Sequence, residues 1–118
     1  MLTRPVTVAE TTVFLRQAAQ IWSEDEHREF IDFIARNPAA GDLIPATSGV
    51  RKIRWSRRGM GKRGGARIIY FYLDPGMPLY LLMVYAKAQR EDLSPEARRT
   101  VQGLVARLKQ AHAEKRSK

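Results

Sequence analysis

The chain has 118 residues, with 21 Lys and Arg against 12 Asp and Glu, for a net charge of +9 and no cysteine. This length suits one domain that buries its own core, and the lack of cysteine excludes disulfides and thiolate metal sites while suiting a reducing cytoplasm. No apolar run nears the roughly 18 residues of a spanning helix, and the opening Met1–Leu15 lacks the apolar core and cleavage pattern of a secretory signal.

In chain order, Thr11-Thr12-Val13-Phe14-Leu15 is β-branched and apolar and predicts a short strand. A helical turn is expected through Ala18, Ala19 and Trp22. Ser23 followed by Glu26 has the spacing of a capping box, so a helix is expected to start there. Its apolar stripe is Phe30, Ile31, Phe33 and Ile34, its first turn is acidic, and Asn37-Pro38 ends it. A loop follows from Gly41 to Gly49.

Three strands come next. Val50–Ser56 alternates, with Val50, Lys52 and Arg54 on one parity and Arg51, Ile53 and Trp55 on the other. Ala66–Leu73 is rich in β-branched and aromatic residues. Leu79–Ala86 is almost continuously apolar, as in a strand buried on both faces. Asp74-Pro75-Gly76 supplies a turn between the last two strands. Together they predict an antiparallel meander. A final helix is expected from the Ser94 cap and Pro95, with Val101, Leu104, Val105 and Leu108 on its core face. The expected fold is α+β: a short N-terminal strand and a three-stranded meander in a small antiparallel sheet, packed with N-terminal helices and a C-terminal helix. Residues 1–113 form the domain and 114–118 a polar tail.

The positive charge is concentrated. Between Asp42 and Asp74 there is no acidic residue, but there are Arg51, Lys52, Arg54, Arg57, Arg58, Lys62, Arg63 and Arg67. Such a single-sign block attracts polyanions, nucleic acid first and a membrane surface second. Gly59-Met60-Gly61-Lys62-Arg63-Gly64 has the spacing G-x-G-x-x-G, but a strand follows it rather than a helix, so a hairpin loop is expected instead of a dinucleotide site. His27 and His112 are isolated and expected at the surface, and no zinc ligand set is present. Lys52 and Arg54 leave the same face of one strand, Arg67 opens its neighbour, and Lys87 ends the last strand. Converging, they would bind a phosphodiester and stabilise the charge that grows on it during phosphoryl transfer. Tyr70, Tyr72, Tyr80 and Tyr85 offer stacking faces if exposed, although cross-strand packing is expected to claim at least two of them.

The blocks Gly41-Asp42-Leu43-Ile44-Pro45, Gly49-Val50-Arg51-Lys52-Ile53-Arg54-Trp55, Gly64-Gly65-Ala66-Arg67-Ile68-Ile69-Tyr70-Phe71-Tyr72, Tyr85-Ala86-Lys87 and Glu91-Asp92-Leu93-Ser94, in this order, resemble the HigB-like branch of the RelE/ParE toxin superfamily. The resemblance spans about Thr12 to Leu108. It implies a cytoplasmic bacterial toxin of a type II toxin–antitoxin system: a ribosome-dependent mRNA endoribonuclease that inhibits translation by metal-independent 2′-hydroxyl attack, without a cofactor. Lys52 and Arg54 match the basic pair on the second strand of such toxins, Arg67 the arginine opening the third, and Lys87 the basic residue after the last. Arg67 and Lys87 would hold the scissile phosphate. Lys52 or Arg54 would assist proton transfer, with Lys52 the better base because arginine stays protonated.

Arg51, Arg57, Arg58, Lys62, Arg63, Tyr72, Tyr85 and Arg90 are the expected RNA and ribosome contacts. Leu93 stands where RelE-type members carry a base-stacking tyrosine, so Tyr72 or Tyr85 would take that task. The implied partners are the ribosome, mRNA and an antitoxin of the helix-turn-helix, HigA-like type, contacting the basic surface through acidic residues. Two other readings remain open: a non-catalytic nucleic-acid-binding module, and a ParE-like toxin acting on DNA gyrase.

Overall fold

The computed structural model describes residues 4–56, 65–86 and 93–117. Strand β1 (Val8–Glu10) leads into helices α1 (Thr12–Ile21) and α2 (Glu24–Arg36). Four strands follow, β2 (Asp42–Leu43), β3 (Val50–Trp55), β4 (Ala66–Phe71) and β5 (Leu79–Ala86), and then helix α3 (Pro95–Ser117). They build one five-stranded sheet in the order β1-β5-β4-β3-β2. The fold is therefore α+β, as the sequence predicts, but the sheet is mixed. β2, β3, β4 and β5 pair antiparallel, whereas β1 lies parallel to β5. A parallel pair needs a crossover rather than a hairpin, and the intervening helices and strands supply it.

The expected strand over Thr11–Leu15 is corrected. The strand precedes it, and Thr11 is instead the N-cap of α1, accepting a hydrogen bond from the Phe14 amide at 3.1 Å. The Thr11 hydroxyl also donates to the Leu81 carbonyl at 2.9 Å, tying the start of α1 to β5. Phe14 and Ala18, four residues apart, are fully buried, so tertiary packing overrides the local strand preference. The capping box of α2 forms in both directions: the Ser23 side chain accepts from the Glu26 amide at 3.2 Å and the Glu26 carboxylate accepts from the Ser23 amide at 2.9 Å. His27, expected at the surface, is half-buried. It bonds the Glu10 carboxylate of β1 and lies against the Phe14 and Trp22 rings. The two-residue β2, expected as loop, is too short for any periodicity to announce.

α1 and α2 cover one face of the sheet, where Phe14, Ala18, Phe30 and Ile34 meet Ile68, Tyr70, Leu79 and Leu81. α3 covers part of the other, packing Val101 and Val105 against Val50, Ile69, Phe71 and Leu82. β4 is central and all its residues are buried. The Asp74 turn forms as expected, with its carboxylate accepting from the Gly76 amide at 2.7 Å and its carbonyl from the Met77 amide at 3.2 Å. Ser94 caps α3 by accepting from the Ala97 amide at 3.1 Å. The α3 backbone is helical through Ser117, into the segment expected as a tail. Among the described residues no helix is long and apolar enough to cross a membrane.

The capping box is open to a direct test. Ser23→Ala is expected to cost about 1 kcal/mol of stability, read as a lowered urea midpoint at unchanged slope; an unchanged midpoint would mean that packing alone sets the start of α2.

Candidate functional site

Strand pairing brings three of the expected basic residues together. On β3, Val50 packs into the α3-side core while Ile53 and Trp55 pack on the opposite side, so Lys52 and Arg54 share the α3 face. In the β3–β4 register Arg54 lies opposite Arg67, and Lys52 opposite Ile69. α3 crosses the Val50–Phe71 end of this face, with Lys109 Nζ 6.0 Å from the centre of the Phe71 ring. The other end stays open as a cleft of about 530 Å³ lined by Ala40, Asp42, Lys52, Ile53, Arg54 and Arg67.

The three cationic side chains differ in depth. Arg54 is exposed, Lys52 is half-buried and Arg67 is 3% exposed. Arg67 is therefore the most deeply set of the three cations, where water screens a charge least. Asp42 also lines the cleft, directly opposite Lys52 in the β2–β3 register. The site therefore carries three formal positive charges against one negative, which is the chemistry of an anion site with one acceptor on its rim. Sequence reading passed over Asp42. Its signal was its place as the last acidic residue before the basic block, but only the pairing of β2 turns that place into a cleft position. Among the described residues no cluster of three or more His, Cys, Asp or Glu could hold a metal ion.

Several expected contacts sit elsewhere. Arg51 alternates with Lys52, and its Nη1 donates to the Gly41 carbonyl at 2.7 Å and the Ala39 carbonyl at 3.3 Å. It holds the loop before β2 and does not face the cleft. Tyr85 lies opposite Arg67 on β5 but is 3% exposed, so its ring is committed to packing and has no face left for a base. Tyr72 is partly exposed yet packs on the α1–α2 side of the sheet. Neither tyrosine can stack on a base held in this cleft. Leu93, where a tyrosine was missed, is part of the α3-side core. Lys87, Arg57, Arg58, Lys62, Arg63 and Arg90 lie outside the described residues, as does the glycine-rich segment Gly59–Gly64.

Tyr70 acts on the site from the opposite face. It is fully buried, and its hydroxyl donates to the Pro38 carbonyl at 2.9 Å and accepts from the Gly41 amide at 2.8 Å. Gly41 must stay small, because a Cβ there would come within 2.8 Å of the Tyr70 oxygen and 3.0 Å of the Lys52 carbonyl. This clasp fixes the chain one residue before Asp42. Burial raises the pKa of Tyr70, Asp42 adds to the rise, and the Gly41 hydrogen bond and the Arg51 charge oppose it.

No family model matches the chain. Among solved structures the chain is similar to the Escherichia coli toxin RelE, a double mutant in the free state, with a TM-score of 0.53 and 15% identity over 72% of this chain and 86% of that one. At this identity the likeness is one of fold: a RelE-like α+β architecture.

Tyr70→Phe is expected to cost about 1–3 kcal/mol, because it strands the Gly41 amide and the Pro38 carbonyl. It also changes the pH response. A raised pKa means that the folded state holds the phenolic proton where the unfolded state releases it, so stability falls as pH rises above about 10. Urea titrations across that range are expected to show a shallower alkaline loss in the variant; identical slopes would contradict it.

Proposed function

We propose that the chain is the toxin of a type II toxin–antitoxin system, an endoribonuclease that cuts mRNA on the ribosome and so inhibits translation. The observation that carries this reading is the convergence of Lys52, Arg54 and Arg67 around one open cleft. The RelE-like fold and the HigB-like blocks in the sequence support it.

Such a cleft suits RNA because the substrate brings its own nucleophile. The 2′-oxygen attacks the adjacent phosphorus and the bond to the 5′-oxygen breaks, leaving a 2′,3′-cyclic phosphate and a free 5′-hydroxyl. Arg67, at the wall, and Lys87, following β5, clamp the phosphate and stabilise its added charge. Lys52, a cation of the site, assists proton transfer by giving its proton to the departing 5′-oxygen, and the 2′-hydroxyl loses its own to solvent. Arg54, being exposed, meets the phosphate backbone on entry. The enzyme needs no cofactor in this scheme and works in the cytoplasm, where ribosomes are. Its antitoxin, of the helix-turn-helix type, would neutralise the basic surface with acidic residues.

The test is cleavage of a short mRNA with and without programmed ribosomes, wild type beside Arg67→Ala. Ribosome-dependent cuts are expected from the wild type, with the variant slower by at least about 10²-fold and its circular dichroism unchanged. A folded Arg67→Ala protein that cuts at the wild-type rate would remove Arg67 from the site. A wild type that binds RNA but never cuts would favour a non-catalytic binding module, and capture of gyrase instead of ribosomes would favour a ParE-like target.

A further inference from the structure

Asp42 is unexplained by a phosphate site. A carboxylate on the rim of a cationic cleft repels a phosphodiester, and Ala or Ser there would bind a bare anion better. One structural role is to discourage edge-to-edge pairing, since β2 is the outer strand and charges on edges serve that purpose. Yet Asp42 faces the cleft and is paired across the strands with Lys52, whereas the exposed edge residue Leu43 is apolar and 59% exposed. Moreover, among the described residues the Asp42 carboxylate has no hydrogen-bond or ion-pair partner. The Tyr70–Gly41 clasp and the Arg51 bond to the Gly41 carbonyl hold the backbone immediately before it, so the exposed Asp42 is anchored at the rim of the cleft through its main chain.

We infer that Asp42 is a specificity-determining residue that accepts a hydrogen bond from the ribose 2′-hydroxyl of a strand whose phosphate lies among Lys52, Arg54 and Arg67, so that the cleft selects RNA over DNA. This rests on the proposal that the cleft takes a nucleic-acid phosphodiester. A ligand suited to three cations and one acceptor on the rim carries an anion with a hydrogen-bond donor beside it. The ribose 2′-hydroxyl, adjacent to its own 3′-phosphate, is such a donor, and it is the group that lets a protein distinguish the two nucleic acids. Deoxyribose offers no donor there and leaves the carboxylate facing the phosphate unsatisfied, so the same residue attracts one sugar and penalises the other.

The test measures binding of matched single-stranded RNA and DNA trinucleotides to the whole chain at low salt, wild type beside Asp42→Ala. The wild type is expected to prefer RNA by about tenfold. In the variant that preference collapses to near unity, with DNA affinity unchanged or raised because a repulsive charge has gone. Retained DNA binding also shows that the variant is folded. Equal preference in both proteins overturns the inference, as does a wild type that binds neither oligonucleotide. Ribosome-dependent cleavage separates the two levels: if the wild type still cuts mRNA and Arg67→Ala does not, the endoribonuclease reading stands while the role of Asp42 falls.

Discussion

Everything at the cleft depends on the register between β3 and β4. Arg54 stands opposite Arg67 because Val50 is paired with Phe71 at the far end of the same two strands. Both apolar residues are fully buried under α3, and Ile68 and Tyr70 are fully buried on the opposite face. A slip of one residue would turn every side chain of β3 over, carrying Trp55 away from Phe30 and Phe33 and bringing Lys52 and Arg54 against those two rings instead. Desolvating two cations there costs far more than the strand hydrogen bonds return. The apolar half of the sheet thus specifies the position of the charged half.

β5 contributes through an irregularity. Its register with β4 shifts between Ile69, opposite Met83, and Tyr70, opposite Leu81, so Leu82 is an extra residue. Up to that point Leu79 and Leu81 face α1 and α2; beyond it, Val84 faces them and Tyr85 faces α3. The bulge therefore turns Tyr85 toward the Arg67 side, where an unbroken strand would have placed Val84. The bulge sets the phase in which β5 approaches its end, where Lys87 follows. On the other side of the sheet, Gln17 of α1 accepts from the Val84 amide at 2.9 Å, supplying a partner that β1 is too short to reach.

Much of this was legible in the sequence because it rests on local rules. The Ser23–Glu26 box, the alternation of Val50 to Trp55, the apolar run of β5 and the Ser94-Pro95 start of α3 are each written within a few consecutive residues. What escaped depends on distant partners. Thr11–Leu15 has strand composition, but Thr11 caps a helix and bonds Leu81, seventy residues on. The parallel β1–β5 pair, the two-residue β2 and the bulge at Leu82 leave no periodic trace. For the site, parity alone placed Lys52 and Arg54 on one face, while the exclusion of Arg51, Tyr72 and Tyr85 and the inclusion of Asp42 needed the register. Composition marks a basic residue, but only pairing shows which way it faces.

The central claim is that Arg54 and Arg67 act as one anion site distinct from the basic exterior of the chain. The most direct measurement is side-chain NMR of the arginine Nε–H groups during titration with a short 2′-deoxy oligonucleotide, which cannot be cleaved. The account predicts that the Arg54 and Arg67 signals move together with a common midpoint, ahead of Arg99 and Arg107 on the exposed side of α3. Movement of Arg99 and Arg107 with Arg54 and Arg67 unperturbed would place nucleic acid on α3 and contradict the account.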